Sequence, residues 1–339
     1  MRALVLGTGL IGASVGAGLG AAGWKVAGWD PAPDALEGAR RIGGITETVE
    51  DAAAAAVAVD LVVLAGPVRA IIETAGELTT GALVTDVASV KVPVLAAASR
   101  LPRFVGGHPM AGRETSGPGA ASPAMFRGAS WILAVDGCAE GDLATMEEIV
   151  ESLGAVPVRM TAADHDAAVA AVSHVPQVVA SALVNLVASN PDALSLAAGG
   201  FRDLTRIALS EPGWWGEVLA QNHKGVAALL RALGADLELW AEAIERSDVK
   251  AVTADLGRAR DTRRALTAPV AAVRILLEDR PGEIAQVGHA LAATGADVRD
   301  LQLRHATRGG GGILTLSVLP GQEDGLAEAL EAEGFRLVD

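Results

Sequence analysis

Over its first 160 or so residues the chain alternates short, mainly apolar runs with longer stretches whose apolar positions recur at the helical period. The short runs fall at residues 2–6, 25–29, 60–65, 82–87, 104–107, 131–135 and 156–159. Helical patterns follow the first run up to residue 23, begin again at 68 and near 90, and cover 141–153. Continuous apolar runs suit strands buried on both faces, and strand–helix alternation predicts a doubly wound, mainly parallel α/β sheet. From Asp164 the pattern changes to Ala/Val/Leu-rich helical stretches at about 164–189, 192–209, 214–246 and 248–266, with no strand between them. After Pro269 mixed structure returns: strands at 270–277, 297–305 and 313–319, helices at 281–294 and 324–333, a turn at glycines 309–312 and a short last strand at 335–338. That βαββα order with a closing strand predicts a small ferredoxin-like α+β module. The expected domains are therefore 1–163, an all-α region 164–267, and 270–339.

The first turn carries the first chemical signal. Gly7-Thr8-Gly9-Leu10-Ile11-Gly12 follows a strand, opens a helix, and leads to a second strand ending in Asp30. In that setting the first glycine permits a tight turn and the second lets a pyrophosphate approach the backbone. The third brings helix and strand together, while the helix N-terminus attracts the phosphates. A carboxylate at Asp30 accepts hydrogen bonds from ribose hydroxyls and repels a 2′-phosphate, which favours NAD over NADP. The N-terminal domain is thus expected to be Rossmann-type. Ligands in such sheets lie beyond the carboxyl ends of the strands, which draws attention to Gly66-Pro67, to 86–91 and to Gly106-Gly107-His108-Pro109. Residues 3–24 are uncharged and follow Arg2, as in a signal peptide or membrane span, but seven of them are glycine, a poor composition for a helix in lipid.

Charge narrows the partners. With 27 Lys and Arg against 41 Asp and Glu, the net charge is −14, which repels nucleic acid and anionic membranes, so neither is expected as a partner. A small anionic substrate would need a locally placed cation. The single cysteine, Cys138, forms no intramolecular disulfide and fits a reducing cytoplasm, and without any tyrosine no phenol serves as acid or base.

Five further stretches, VTDVASVK at 84–91, GHPMAG at 107–112, VSHVP at 172–176, GFRDLTR at 200–206 and EPGWW at 211–215, resemble the prephenate dehydrogenases, the TyrA family of tyrosine biosynthesis. The segment 279–283, DRPGE, is similar to the start of ACT domains, which bind free amino acids and regulate metabolic enzymes. The resemblance implies an NAD-dependent oxidative decarboxylation of prephenate, with His108 as the catalytic histidine and Ser89 hydrogen-bonding it and the substrate hydroxyl. It implies that Arg206 holds a substrate carboxylate, that Glu114 gates the entrance, and that Ser173, His174, Gln177, Gly200 and Trp215 shape the pocket. It also implies a homodimer through the helical region and no metal. The residues alone leave other roles open: Ser89 as a helix N-cap, Arg206 in a surface ion pair, Trp215 in a core.

Where some family members carry a second histidine, this chain has Gln177. A neutral amide offers no carboxylate to the ammonium of arogenate, so prephenate is the expected substrate, with an arogenate or dual-specificity cyclohexadienyl dehydrogenase as the alternative. A non-catalytic sensor of dinucleotide and amino acid is the alternative outside enzymes, and the set Ser89, His108 and Arg206 argues against it. Tyrosine is the expected effector at 270–339, although Asp297 stands where many ACT domains have an asparagine.

Overall fold

The computed structural model describes residues 1–112, 117–266, 269–278, 280–305 and 311–338, which fall into two compact units, Met1–Gly234 and Ala235–Asp339. In the first unit, β1 (Arg2–Leu6), β2 (Lys25–Trp29), β3 (Glu47–Thr48), β4 (Leu61–Leu64), β5 (Leu83–Asp86) and β6 (Phe104–Val105) form a parallel sheet in the order β3-β2-β1-β4-β5-β6. Every residue of β4 and β5 is buried, which is why these runs are apolar without alternation. Helices α1 (Leu10–Ala21), α2 (Pro33–Arg41), α3 (Ala52–Ala56), α4 (Val68–Glu77), α5 (Val92–Ala97) and α6 (Glu140–Ser152) cover the sheet. Ala13, Val15 and Leu19 of α1 share one core with Met146 and Ile149 of α6. Val68 and Ile71 of α4 and Val94 of α5 share a second core. The sheet is doubly wound as expected, and its order reverses between β1 and β4.

The apolar run 104–107 divides between two sheets. β6 ends the main sheet, whereas β7 (Gly107–Pro109) pairs antiparallel with β8 (Ser130–Ala134), which pairs parallel with β9 (Val156–Met160). Two glycines make the crossing possible. A Cβ on Gly106 would lie 2.7 Å from Leu95 Cδ1, and one on Gly107 would lie 2.6 Å from the Asp86 carbonyl oxygen. His108 therefore sits within a strand laid against the end of β5, rather than in a loop after one.

The rest of this unit is helical. α7 (Ala162–Val169), capped by the Thr161 hydroxyl, runs through a π-helical turn (Ala170–His174) into α8 (Val175–Ala188). Pro176 has no N–H for the carbonyl one turn back, and the wider turn just before it accommodates that gap. α9 (Pro191–Ser195), α10 (Gly199–Thr205), a 3-10 turn (Arg206–Leu209), α11 (Pro212–Gln221) and the start of α12 (His223–Glu245) follow. By length and composition alone the stretch Ala162–Ala188 is apolar enough to cross a membrane. It carries four buried polar side chains, His165, Asp166, His174 and Gln177; Asp166 accepts from Lys91 at the head of α5 and His165 meets His108 of β7, which identifies a helix packed on protein.

In the second unit, α13 (Val249–Ala265) precedes an antiparallel sheet of β10 (Ala271–Leu277), β11 (Val298–His305), β12 (Gly312–Val318) and β13 (Arg336–Leu337), ordered β11-β12-β10-β13. Alternate residues of β10 and β12 (Val273, Ile275, Leu277, Leu314, Leu316 and Val318) face α14 (Glu283–Thr294) and α15 (Glu323–Ala332) in one core. This is the expected ferredoxin-like arrangement.

Candidate active site

The first half of the site is a cradle of backbone. Gly7 has φ +97°, and a Cβ there would lie 2.6 Å from Gly66 N, so β1 and the turn after β4 can meet only around glycine. A Cβ on Gly12 would lie 1.9 Å from the Gly7 carbonyl oxygen, whereas nothing lies within 4 Å of one on Gly9. The first and third glycines thus permit backbone packing, and the second keeps the approach to the α1 N-terminus open. No side chain caps that end. Leu10, Ile11 and Gly66 are partly buried around it, and Pro67 is exposed at the head of α4. Asp30, at the end of β2, accepts from Thr8 N (2.7 Å), the Thr8 hydroxyl (3.3 Å) and Ala32 N (2.9 Å). Its carboxylate therefore fixes the glycine-rich turn and the exit from β2 together. These residues fit a dinucleotide: an open helix N-terminus for the pyrophosphate and an anchored carboxylate for the ribose.

The second half gathers at the end of β5. His108 is half-buried, and its Nδ1 lies 2.9 Å from Nε2 of His165 on α7, with the rings edge to face at 76°. His165 Nδ1 lies 2.8 Å from Asp166 Oδ1. The same carboxylate accepts from Lys91 N (2.7 Å) and Val92 N (2.9 Å), so the cap of α5 comes from α7 across the site and not from Ser89. Ser89 is half-buried in the loop between β5 and α5, and the imidazole partner the structure gives His108 is His165. Beneath the loop, fully buried Lys91 donates to Asp86 and to the Gly107 carbonyl, 2.6 Å away. Burial, reinforced by the Lys91 charge and by His165 and His174, holds the His108 imidazole well below the ordinary histidine value. Its neutral form therefore prevails at physiological pH.

His174 is buried within the π turn. At about 100° per residue the nine positions from His165 would put it on the opposite face of an α-helix, and the wider turn closes part of that angle. Asn222, after α11, donates through Nδ2 to the Asp166 carbonyl oxygen (2.7 Å) and lies 3.2 Å from His174 Nδ1. The carbonyl is an acceptor only, so that nitrogen carries the amide hydrogens and His174 Nδ1 receives one, which leaves the His174 proton on Nε2. Burial pushes His174 below the usual imidazole value, opposed by the Asp166 charge. Trp215 stacks edge to face on His174 at 5.9 Å and packs against the second core of the sheet. Gln177, in the first turn of α8, is buried with its Oε1 unpartnered among the described residues. Ser173 is half-buried beside His174. Gly200 and Arg206 are exposed, on α10 and at the start of the 3-10 turn that packs against α8. Glu114 lies outside the described residues.

The structure therefore brings together His108, His174 and Trp215 of the expected set, with Gln177 buried three residues after His174, and adds His165, Asp166, Asn222 and Lys91. Sequence reasoning missed these four. The available signal was a His-Asp pair interrupting an apolar helix, nine residues before a second histidine.

A doubly wound sheet with a glycine cradle at its switch point, and a neutral histidine on a strand against its edge, define a dinucleotide-dependent dehydrogenase. The nucleotide-binding domain of prephenate dehydrogenase matches residues 17–159, and the dimerization domain of the same enzymes matches residues 161–257. Prephenate dehydrogenase of Lactococcus lactis subsp. cremoris is 30% identical over 267 residues, 74% of this chain and 73% of that protein. The crystal structure of A. aeolicus prephenate dehydrogenase in complex with hydroxyphenyl propionate and NAD+ superposes with a TM-score of 0.72 at 29% identity, covering 79% of this chain and 98% of that one. Synechocystis arogenate dehydrogenase does so with a TM-score of 0.68 at 28% identity, covering 79% and 100%. The chain belongs to the prephenate dehydrogenase family, and its cofactor is NAD.

Proposed function

We propose that the chain converts prephenate and NAD+ to 4-hydroxyphenylpyruvate, CO2 and NADH, with His108 as the base on the C4 hydroxyl. The bound dinucleotide supplies the hydride acceptor. As hydride leaves C4, the hydroxyl oxygen becomes carbonyl-like and gives its proton to His108. When the ring carboxylate departs as CO2 and the ring aromatises, the same oxygen regains a proton. The reaction releases no net proton, so His108 begins and ends neutral, and its low proton affinity favours return. The observation that carries this reading is the neutral, anchored imidazole of His108 beside the sheet that holds the cradle.

The remaining residues take roles around that step. Arg206 pairs with a substrate carboxylate, for which a guanidinium is suited geometrically. Ser89 meets the substrate hydroxyl, and Glu114 gates the entrance. Ser173, His174, Gln177, Gly200 and Trp215 bound the ring. Residues 1–163 serve the dinucleotide and 164–267 the substrate. Prephenate is favoured over arogenate because the buried Gln177 side chain is a neutral amide and supplies no carboxylate to an ammonium group. Comparing kcat/KM on the two tests this, and a clear arogenate preference overturns it.

Exposed Val172, Leu186, Leu204 and Leu209 on the helical region support a homodimer through that surface. The protein works in the cytoplasm, which its lone thiol suits. Tyrosine is proposed to act at the ferredoxin-like module, where the Asp297 carboxylate is held by Arg299 at 2.7 Å. Inhibition that survives deletion of residues 270–339 would place the tyrosine effect at the active site instead.

A further inference from the structure

We infer that His165 and Asp166 are positioning residues that set the tautomer of His108, an assignment that rests on His108 being the base. The argument is one of donors and acceptors. Asp166 takes two backbone N–H groups, from Lys91 and Val92, and a carboxylate accepts only. The His165 nitrogen 2.8 Å from it, Nδ1, must therefore carry the hydrogen. A neutral His165 then presents a lone pair at Nε2, and His108 Nδ1, 2.9 Å away, must donate to it. His108 is left with its lone pair on Nε2, the ring nitrogen without a partner among the described residues and the one that can take a substrate proton. When His108 is protonated its Nδ1–H bond to His165 becomes charge-assisted and strengthens, so the series supports the imidazolium as it forms.

Burial holds the series in place. His165 is 1% exposed and Asp166 7%, so water does not compete for either nitrogen. Asp166 also ties α7 to the head of α5, and Asn222 holds its backbone carbonyl, so the carboxylate is fixed from three elements. Replacing Asp166 by Asn has a specific consequence. Val92 N lies on Oδ2, whereas Lys91 N shares Oδ1 with His165. An amide that keeps its oxygen on Val92 N gives up the Lys91 bond and turns its NH2 to His165. Both imidazoles then reverse their tautomers, placing the His108 proton on Nε2.

The test uses full-length Asp166→Asn and His165→Phe alongside wild type and His108→Asn, with NAD binding confirming the folded state of each. The expected results are a kcat lowered about 10- to 100-fold in both positioning variants, with KM for prephenate little changed. In 15N-histidine NMR, His108 should change from an Nδ1–H to an Nε2–H signature in Asp166→Asn. Wild-type kcat with an unchanged His108 tautomer in either variant overturns the inference, as does a loss confined to KM. Activity retained by His108→Asn would instead overturn the base assignment on which it rests.

Discussion

Lys91 and Asp86 form an ion pair in which neither side chain has any solvent exposure. Asp86 ends β5, and Lys91 also donates to the carbonyl of Gly107, immediately before His108. Two buried charges thus bind the edge of the main sheet to the strand carrying His108. Burial pushes the lysine down and the carboxylate up from their ordinary values, each opposed by the charge of the other. Removing one partner strands the other without solvent. Lys91→Met alone is expected to cost about 3–5 kcal/mol, and pairing it with Asp86→Asn should restore a large part of that. Urea unfolding of both variants and wild type checks this, and an additive double variant would refute the coupling.

The pH dependence follows from His108. Its folded proton affinity is depressed by burial first, then by Lys91, His165 and His174, while Asp86 and Asp166 lie close by as compensating charges. With the neutral form as the proposed base, kcat/KM should be flat near neutrality and fall only well below the ordinary histidine value of about 6.5. Stability has the same sign. Below about pH 6.5 the unfolded chain binds a proton that folded His108 does not, so His108 makes the protein less stable as pH falls through that window to the folded value. An acid limb at or above 6.5 would contradict both statements.

Cofactor choice is expected to depend on Asp30. Asp30→Ser removes the carboxylate proposed to meet the ribose and also frees Thr8 N, so NAD affinity should fall about 10- to 100-fold while NADP gains relative to it. Isothermal titration with each dinucleotide measures the ratio, and an unchanged ratio would place the adenosine ribose elsewhere.

The third glycine of the cradle allows a sharper test. Gly12→Ala places a methyl carbon 1.9 Å from the Gly7 carbonyl oxygen, a backbone atom that cannot swing away. Loss of NAD binding is expected, whereas Gly9→Ala, with nothing within 4 Å, should fold normally and lose affinity only through contact with the phosphates. Melting temperatures with and without NAD separate the two.

What the sequence makes legible is local. A glycine at Gly7 or Gly12 is dictated by turn geometry, and a four-residue apolar run such as 61–64 by burial on both faces, so the N-terminal domain can be read from order and spacing. The break at Gly106 is different, because apolar residues continue through it and only the approach of Leu95 and the Asp86 carbonyl shows where the chain changes sheet. The His108–His165 contact spans 57 positions. In the chain His165 and Asp166 are two polar residues in an apolar helix, as a solvated turn would also be. The π turn that brings His174 toward them depends on Pro176, whose effect on helical phase no regular periodicity carries.

The central claim is tested most directly by following the absorbance of reduced nicotinamide with prephenate and NAD, for wild type and His108→Asn. Turnover by wild type, lost by several powers of ten in a variant that still binds NAD, is the predicted result. Wild-type protein that binds NAD tightly yet reduces it with neither prephenate nor arogenate would contradict the account and favour a dinucleotide sensor.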